Sequence, residues 1–111
     1  MKSAAQFHVV LVTAPGLRIA RRLAKSALQA RLAACANLIS GVESRYWWKG
    51  RMESCSEVLV IFKTTGGRLR RLEELVLVNH PYDTPEFVVL PLAGGAGRYL
   101  DWLARSVREH Y

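Results

Sequence analysis

The stretch CANLISGVESRYWWKGRMESCSEVLVIFKTT, from Cys35 to Thr65, predicts two long β-strands folded back on each other at Lys49-Gly50. Both arms are rich in Val, Ile, Leu, Tyr and Trp, which favour strands, and a Lys-Gly step can supply the positive φ of a tight hairpin turn. At about 3.3 Å per residue the first arm would span about 45 Å, whereas a compact domain of this length is about 34 Å across. We therefore expect the tip to extend beyond the body, with a bend or bulge at Ser40-Gly41 that directs it.

The segment before the hairpin predicts a buried strand followed by an amphipathic helix. Residues 7–12, FHVVLV, are almost all apolar, which favours a strand buried on both faces. From Leu17 onward the apolar residues fall on one helical stripe. The opposite stripe is basic and could bind an anion, although an outward helix face is normally charged, which favours a solvated face. Its members are Arg18, Arg21, Arg22 and Lys25.

The segment after the hairpin predicts a helix, a strand and a last helix. The first of these helices is expected to stop at His80, because Pro81 disfavours helix in the residue before it. Residues 86–93, EFVVLPLA, predict an apolar strand, and Pro91 indicates an edge position or a bulge because proline cannot donate a ladder hydrogen bond. Residues 98–109 place their apolar side chains on one helical face.

The order β-α-β-β-α-β plus a C-terminal helix predicts an α+β, ferredoxin-like sandwich. Both crossover helices must lie on one face of the sheet, since such crossovers are right-handed. The strands are nevertheless apolar on both faces, so the face without helices needs a cover. Burying about 600 Å² of apolar surface per subunit would contribute on the order of 15 kcal/mol before association costs, so we predict an obligate homo-oligomer.

Composition limits the class of protein. Residues 1–111 are enough for a single domain with a core, and the net charge of +7 favours anionic partners without naming one. No apolar run approaches the roughly 20 residues that cross a bilayer, and the N-terminal residues lack a convincing signal sequence, so we predict no membrane span and a cytoplasmic location. Cys35 and Cys55 have no metal-motif spacing and are expected to be buried thiols.

The loop HPYDTPE, starting at His80, is the most unusual local stretch, because two prolines stiffen a segment that carries polar groups. One interpretation makes His80 a metal ligand, with Asp83 or Glu86 as an oxygen ligand and Cys35 as a soft ligand for copper. In the other, His80 caps the helix by donating to a free carbonyl, while Asp83 makes turn hydrogen bonds. Composition alone favours the second interpretation, because single histidines are more often structural.

Other side chains allow a structural and a functional interpretation. Trp47 and Trp48, with Tyr46, could stack on a ligand or a base, but aromatic residues on a projecting ribbon more often pack into an interface. Lys63, on an otherwise apolar strand, is either a residue whose ammonium reaches solvent or an anion contact. The third strand lacks the aromatic residues of an RNA-binding domain, and no phosphate cradle or nucleophile motif is present, so we predict neither nucleic-acid binding nor an enzyme.

Three separated segments resemble the CutA divalent-cation tolerance proteins. They are RLAACANLISGVESRYWWKGRMESCSEVLVIFKT from Arg31, HPYDTPEFVVLPL from His80 and YLDWL from Tyr99. The resemblance implies a ferredoxin-like homotrimer with the architecture of the PII signalling proteins, built by the long hairpins. It also implies a relation to copper and other divalent metals, without a settled catalytic activity and without an organic cofactor.

Matched by position, the family's pocket residues imply a cleft where subunits meet, with His80 and Asp83 as the metal-ligand candidates. The remaining cleft residues are Cys35, Trp48, Lys63, Tyr82 and Glu86. The leading hypothesis is a cytoplasmic homotrimer that binds copper or another divalent cation weakly. One alternative is a PII-like sensor of a small anionic molecule, suggested by Lys63, and another is a scaffold for a protein or membrane partner.

Overall fold

The structure is a computed structural model that describes residues 1–108. Strands and helices follow one another along most of this part of the chain. In chain order they are β1 (Lys2–Ser3), β2 (Phe7–Ala14), α1 (Leu17–Gln29), β3 (Cys35–Trp48), β4 (Arg51–Thr65), a 3-10 turn (Gly66–Arg68), α2 (Leu69–Asn79), β5 (Val88–Pro91), β6 (Gly94–Gly95) and α3 (Gly97–Ser106).

The main sheet is antiparallel, with the strand order β3-β4-β2-β5. This is the ferredoxin-like arrangement that the order of elements predicts. The prediction that Pro91 marks an edge strand is confirmed, because β5 is the outermost strand beside β2. A second, two-residue ladder between β1 and β6 was not predicted, since strands this short carry no periodic pattern.

The hairpin of β3 and β4 has the predicted turn and the predicted bulge. Lys49 and Gly50 both have positive φ, of 50° and 77°, which is the backbone of a two-residue hairpin turn. The register shifts between Ile39 and Val42, where β3 carries one extra residue and Gly41 has φ 76°. Beyond this bulge the ribbon extends away from the helices, and Trp47 is 71% exposed at its tip.

One face of the main sheet is covered by both crossover helices, as predicted. Alternate residues of β2 and β4 point to this face and pack against α1 and α2 in one buried cluster, in which Phe62 is fully buried. The helix α3 forms a second, smaller cluster with Phe7, the first residue of β2. On the remaining sheet surface Ile39 and the strand β5 stay exposed, with Val88 and Leu90 at 45% and 46%.

Two predicted boundaries differ from the structure. The strand over 86–93 is shorter, because β5 pairs with β2 only from Val88 to Pro91. The last helix begins at Gly97 and ends at Ser106, so the predicted end at Glu109 is wrong for the described part, and Glu109 itself lies outside the described residues. The helix α2 ends at Asn79, with His80 already extended, as Pro81 requires.

Candidate functional site

An open cavity of about 920 Å³ lies between the outer half of the hairpin and the loop that follows α2. In this cavity Arg45 Nε donates to Glu43 Oε2 at 2.8 Å, which balances those two charges. The other carboxylates of the lining leave the cavity negative, although the whole chain carries +7. We call this space, lined by Glu43, Arg45, Tyr46, Trp48, Glu57, Tyr82, Asp83 and Glu86, the acidic cavity.

Glu57 and Tyr82 form the best-defined contact of the acidic cavity. Glu57 lies on β4, one residue beyond the last pair with β2, and only 6% of it is exposed. The Tyr82 hydroxyl donates to Glu57 Oε2 at 2.7 Å. Burial raises the pKa of Tyr82, and the hydrogen bond to Glu57 raises it further. Tyr82 is therefore held as a neutral hydrogen-bond donor to the buried carboxylate.

Glu86 lies near this pair, in the loop before β5. Burial raises the pKa of the Glu86 carboxyl, and the charge of Glu57 adds to the effect. Two neighbouring carboxylates in a partly desolvated space favour a proton or a cation between them. The acidic cavity thus has the electrostatic character of a cation-binding site.

Tyr46 and Cys55 are diagonal neighbours on one face of the ribbon. The Tyr46 hydroxyl lies 3.5 Å from Cys55 Sγ, and this hydrogen bond raises the pKa of Tyr46. Asp83 lies at the rim, where its Oδ2 accepts from the Thr84 hydroxyl at 3.2 Å. Tyr46 therefore belongs to the hairpin side of the acidic cavity, and Asp83 belongs to the loop side.

His80 lies below the cavity and holds its loop in place. Its Nδ1 accepts from the backbone N–H of Tyr82 at 3.1 Å, so Nε2 carries the proton and donates to the Thr13 carbonyl at 2.7 Å. The residue is 8% exposed, and its ring centroid lies 4.6 Å from that of Tyr82. His80 would have to give up one of these hydrogen bonds in order to bind a metal, so its role as a metal ligand stays a prediction.

Cys35 and Lys63 lie together at the other end of the sheet. They are direct cross-strand partners of β3 and β4, and Lys63 Nζ lies 5.6 Å from the centre of the Tyr99 ring. Lys63 is six residues from Glu57 along β4, which places the two side chains on one sheet face about 20 Å apart. Cys35 Sγ contacts Asn37 Oδ1 at 3.6 Å.

The seven predicted site residues thus fall into three places. Trp48, Tyr82, Asp83 and Glu86 line the acidic cavity, Cys35 and Lys63 form a separate group, and His80 is buried beneath the loop. Sequence reasoning missed Glu57 and named Tyr46 only together with Trp47 and Trp48, as a residue that could stack on a ligand. A signal for Glu57 existed, because it is the acidic residue directly before the apolar run VLVIF, which Lys63 follows.

No cluster of three or more His, Cys, Asp or Glu side chains in residues 1–108 is arranged to hold a metal ion. A divalent cation at the acidic cavity would therefore need further ligands, from water or from another copy of the chain. Within the same residues, no helix is long and apolar enough to cross a membrane.

Comparison with known proteins places the sequence and the fold near one family. The family model described as CutA1 divalent ion tolerance protein matches residues 8–106. The chain is 46% identical over 100 residues to the divalent-cation tolerance protein CutA of Pectobacterium atrosepticum, covering 90% of this chain and 91% of the relative. It is also 46% identical over 101 residues to the chloroplastic protein CutA 1 of Oryza sativa subsp. japonica, covering 91% of this chain. The chain spans 57% of the length of that plant relative.

Solved structures of the same kind superpose closely on the chain. The crystal structure of CutA1 from Oryza sativa has a TM-score of 0.91 at 44% identity and covers 96% of this chain and 98% of that one. The periplasmic divalent cation tolerance protein CutA from Archaeoglobus fulgidus has a TM-score of 0.89 at 33% identity, covering 92% of this chain and 99% of that one.

Proposed function

The chain belongs to the CutA1 family of divalent ion tolerance proteins, and we propose that it is a homotrimer that binds divalent cations weakly in clefts between its subunits. The acidic cavity carries this proposal. A basic chain repels cations at long range. A negatively charged cavity on its surface therefore attracts cations only locally, at that site. We further propose that the protein acts by binding and has no catalytic role.

The assembly is supported by the apolar surface that one subunit leaves open. Ile39, Val88 and Leu90 on the sheet are close to half exposed, and Trp47 and Met52 at the hairpin tip are 71% and 66% exposed. The free edge of β3 adds unpaired backbone groups along a long strand. Additional copies of the chain would cover these surfaces, and a rotational arrangement would close without leaving an edge. Sedimentation of a folded monomer at micromolar concentration would contradict the trimer.

The predicted metal ligands are His80 and Asp83, with the carboxylate of Glu86 as a further oxygen ligand. Oxygen ligands suit hard divalent cations, and an imidazole suits copper or zinc. Because one chain supplies an incomplete set, we expect weak binding that depends on assembly.

Calorimetric titration of copper and of magnesium tests this assignment. We expect measurable heat with the wild type and a loss of about tenfold in affinity for Glu86→Gln, because one charged ligand is removed. Glu73→Gln, an exposed acid on α2, is the matched control and should bind as the wild type does. Equal heats for wild type and Glu86→Gln would exclude the acidic cavity as the metal site.

The role of His80 is tested separately. His80→Ala removes both of its hydrogen bonds, so its thermal unfolding must be measured beside its copper titration. If His80 is a ligand, copper affinity falls while magnesium affinity, which depends on oxygen ligands, stays unchanged. Equal losses for both metals would assign the effect to the displaced loop.

A second candidate function is a PII-like sensor of a small anion, which the position of Lys63 favours. No ion pair of Lys63 is found within the described chain, and its ammonium lies over the Tyr99 ring. An anion could bind there without displacing a protein carboxylate. Thermal-shift screening with nucleotides and dicarboxylates, with Lys63→Gln as the control, distinguishes this function from metal binding.

We propose a cytoplasmic location, because both cysteines are free thiols. Relatives carry the names chloroplastic and periplasmic, so the compartment is not common to the family. Cell fractionation with an antibody against the untagged protein tests the location.

A further inference from the structure

The buried carboxylate of Glu57 has a hydrogen-bond donor but no positive partner. The Tyr82 hydroxyl binds Oε2, and among residues 1–108 no Lys, Arg or His side chain pairs with Glu57. Glu57 is 94% buried and also lines the acidic cavity. Buried carboxylates are normally compensated by a positive charge, because their desolvation is costly. Because Glu57 lines the acidic cavity, this cavity gives a positively charged ligand access to the carboxylate.

Aromatic rings stand along the same cavity. Tyr46, Trp48 and Tyr82 line it, and the Lys49 ammonium already lies 5.8 Å from the centre of the Trp48 ring. An aromatic face attracts ammonium groups, and it also covers the methylene groups between them. Metal ions gain little from such walls, because their affinity comes from close oxygen, nitrogen or sulfur donors.

The shape of the acidic cavity is elongated and large. Val42, the cross-strand partner of Glu57, and Trp48 are six residues apart on β3, which corresponds to about 20 Å along the ribbon. The volume of about 920 Å³ suits an organic ligand and far exceeds a single ion. Glu57 lies opposite Val42 at the inner end of this length, where the charge of Glu57 acts on Glu86, and Trp48 lies at the outer end. Among the described residues no three His, Cys, Asp or Glu side chains are arranged to hold a metal ion.

We propose that the acidic cavity binds an elongated organic cation that carries two or more ammonium groups, of the class of linear aliphatic polyamines. One ammonium group binds Glu57 and Glu86 at the inner end, and the chain of methylene groups lies against Tyr46 toward Trp48. This inference rests on the proposed function only in placing a cation in the acidic cavity, and it names a different chemical class of cation.

Calorimetric titration of spermidine and of 1,4-diaminobutane into the full chain tests the proposal, at low and at physiological salt. We expect spermidine to bind, and to bind more tightly than the diamine because it carries a third ammonium group. Glu57→Gln should weaken spermidine binding about tenfold, since the amide keeps an acceptor for Tyr82 but loses the charge. Tyr46→Leu should weaken it about two- to fivefold through loss of the aromatic face.

Matched controls outside the acidic cavity are Glu73→Gln on α2 and Tyr99→Leu on α3, which should bind spermidine as the wild type does. Sedimentation of each variant must show the wild-type assembly, so that a binding change is not caused by dissociation. Where Glu57→Gln fails to assemble, Glu86→Gln provides the same removal of charge at a more exposed position.

The proposal is overturned if spermidine gives no heat with the assembled wild type, which would mean that a basic side chain of a second copy compensates Glu57. It is equally overturned if Glu57→Gln and Tyr46→Leu bind spermidine as the control variants do. Copper binding without spermidine binding would leave the proposed function standing and remove this inference alone. Spermidine binding without copper binding would support this inference and remove the proposed metal binding.

Discussion

The two halves of β4 are one continuous strand, but they have different surroundings. From Val58 to Thr65 alternate residues are buried against α1 and α2, whereas Arg51, Met52 and Glu53 near the tip are exposed on both faces. Backbone pairing with β3 is nevertheless maintained along both halves. The comparison shows that pairing forms the ribbon, while burial depends on which other element covers it.

The border between the halves is where the candidate chemistry lies. Glu57 follows the exposed half and precedes the buried one, so its carboxylate is desolvated yet reaches the acidic cavity. We therefore assign folding stability to the inner half and recognition to the border and the outer half. The following predictions test this division.

The largest effect is expected for Phe62→Ala in the inner half. Phe62 is fully buried between the helices and the sheet, so its truncation should lower the free energy of unfolding by about 3–5 kcal/mol. Met52→Ala in the outer half is the matched truncation, and it should change the unfolding of a dissociated subunit by less than about 0.5 kcal/mol. Urea unfolding measures both at one protein concentration at which sedimentation shows only dissociated subunits, and similar losses there would contradict the division.

A smaller loss is expected at the border, for Tyr82→Phe. The substitution removes the donor to the buried Glu57 carboxylate, which should cost about 1–3 kcal/mol. Tyr46→Phe is the matched control, because its hydroxyl contacts only the Cys55 thiol on the exposed ribbon. If both variants unfold at the same urea concentration, the Tyr82 hydroxyl does not stabilise the buried Glu57 carboxylate.

In the outer half, Trp47→Ser is expected to leave the subunit fold intact and to weaken assembly. Trp47 is 71% exposed, so its loss should change the unfolding free energy of a dissociated subunit by less than about 0.5 kcal/mol. Sedimentation over a dilution series should show dissociation at higher concentrations than for the wild type. An unchanged dilution series would mean that the hairpin tip takes no part in the interface.

The smallest effect is a pH dependence at Glu86. Its folded-state pKa is raised by burial and by Glu57, so the native protein holds the proton more tightly than the unfolded chain, and stability falls as the pH rises through this pKa. Glu86→Gln cannot ionise, so it should be more stable than the wild type at neutral pH. The difference should disappear below about pH 4, where the carboxyl is protonated in both states. Urea midpoints of the wild type and of Glu86→Gln, measured at neutral pH and below pH 4, check this prediction. A stability advantage of Glu86→Gln that occurs only at acid pH would contradict the predicted sign.

The fold was largely predictable from local patterns. Alternating and continuous apolar runs located the strands and the crossover helices, and Lys49-Gly50 and Ser40-Gly41 located the turn and the bulge. The short ladder of β1 with β6 could not be predicted, because it depends on Met1–Lys2 passing beside Gly94, a contact between distant parts of the chain.

The candidate site was predictable only in part. Tyr82, Asp83 and Glu86 all line the acidic cavity, because their positions in the stiff loop are close together, and their roles there stay predictions. The partners of His80 and Tyr82 could not be inferred, since Thr13 and Glu57 come from other strands and are adjacent only after folding. Cys35 and Lys63 were grouped with these residues through the family resemblance. Within a single chain they lie about 20 Å from Glu57.

The bulge at Gly41 also determines which side chains of the outer arm lie on each face of the sheet. Before it Leu38 pairs with Val60 and faces the helices, whereas after it the even-numbered Tyr46 pairs with Glu53 on the opposite side of the sheet, the side of Glu57. Deleting one residue there would rotate the whole outer arm by half a turn and present Arg45 and Trp47 to that side instead. A single-codon deletion at this point would therefore change, in one evolutionary step, which side chains of the outer arm lie on the same sheet face as Glu57.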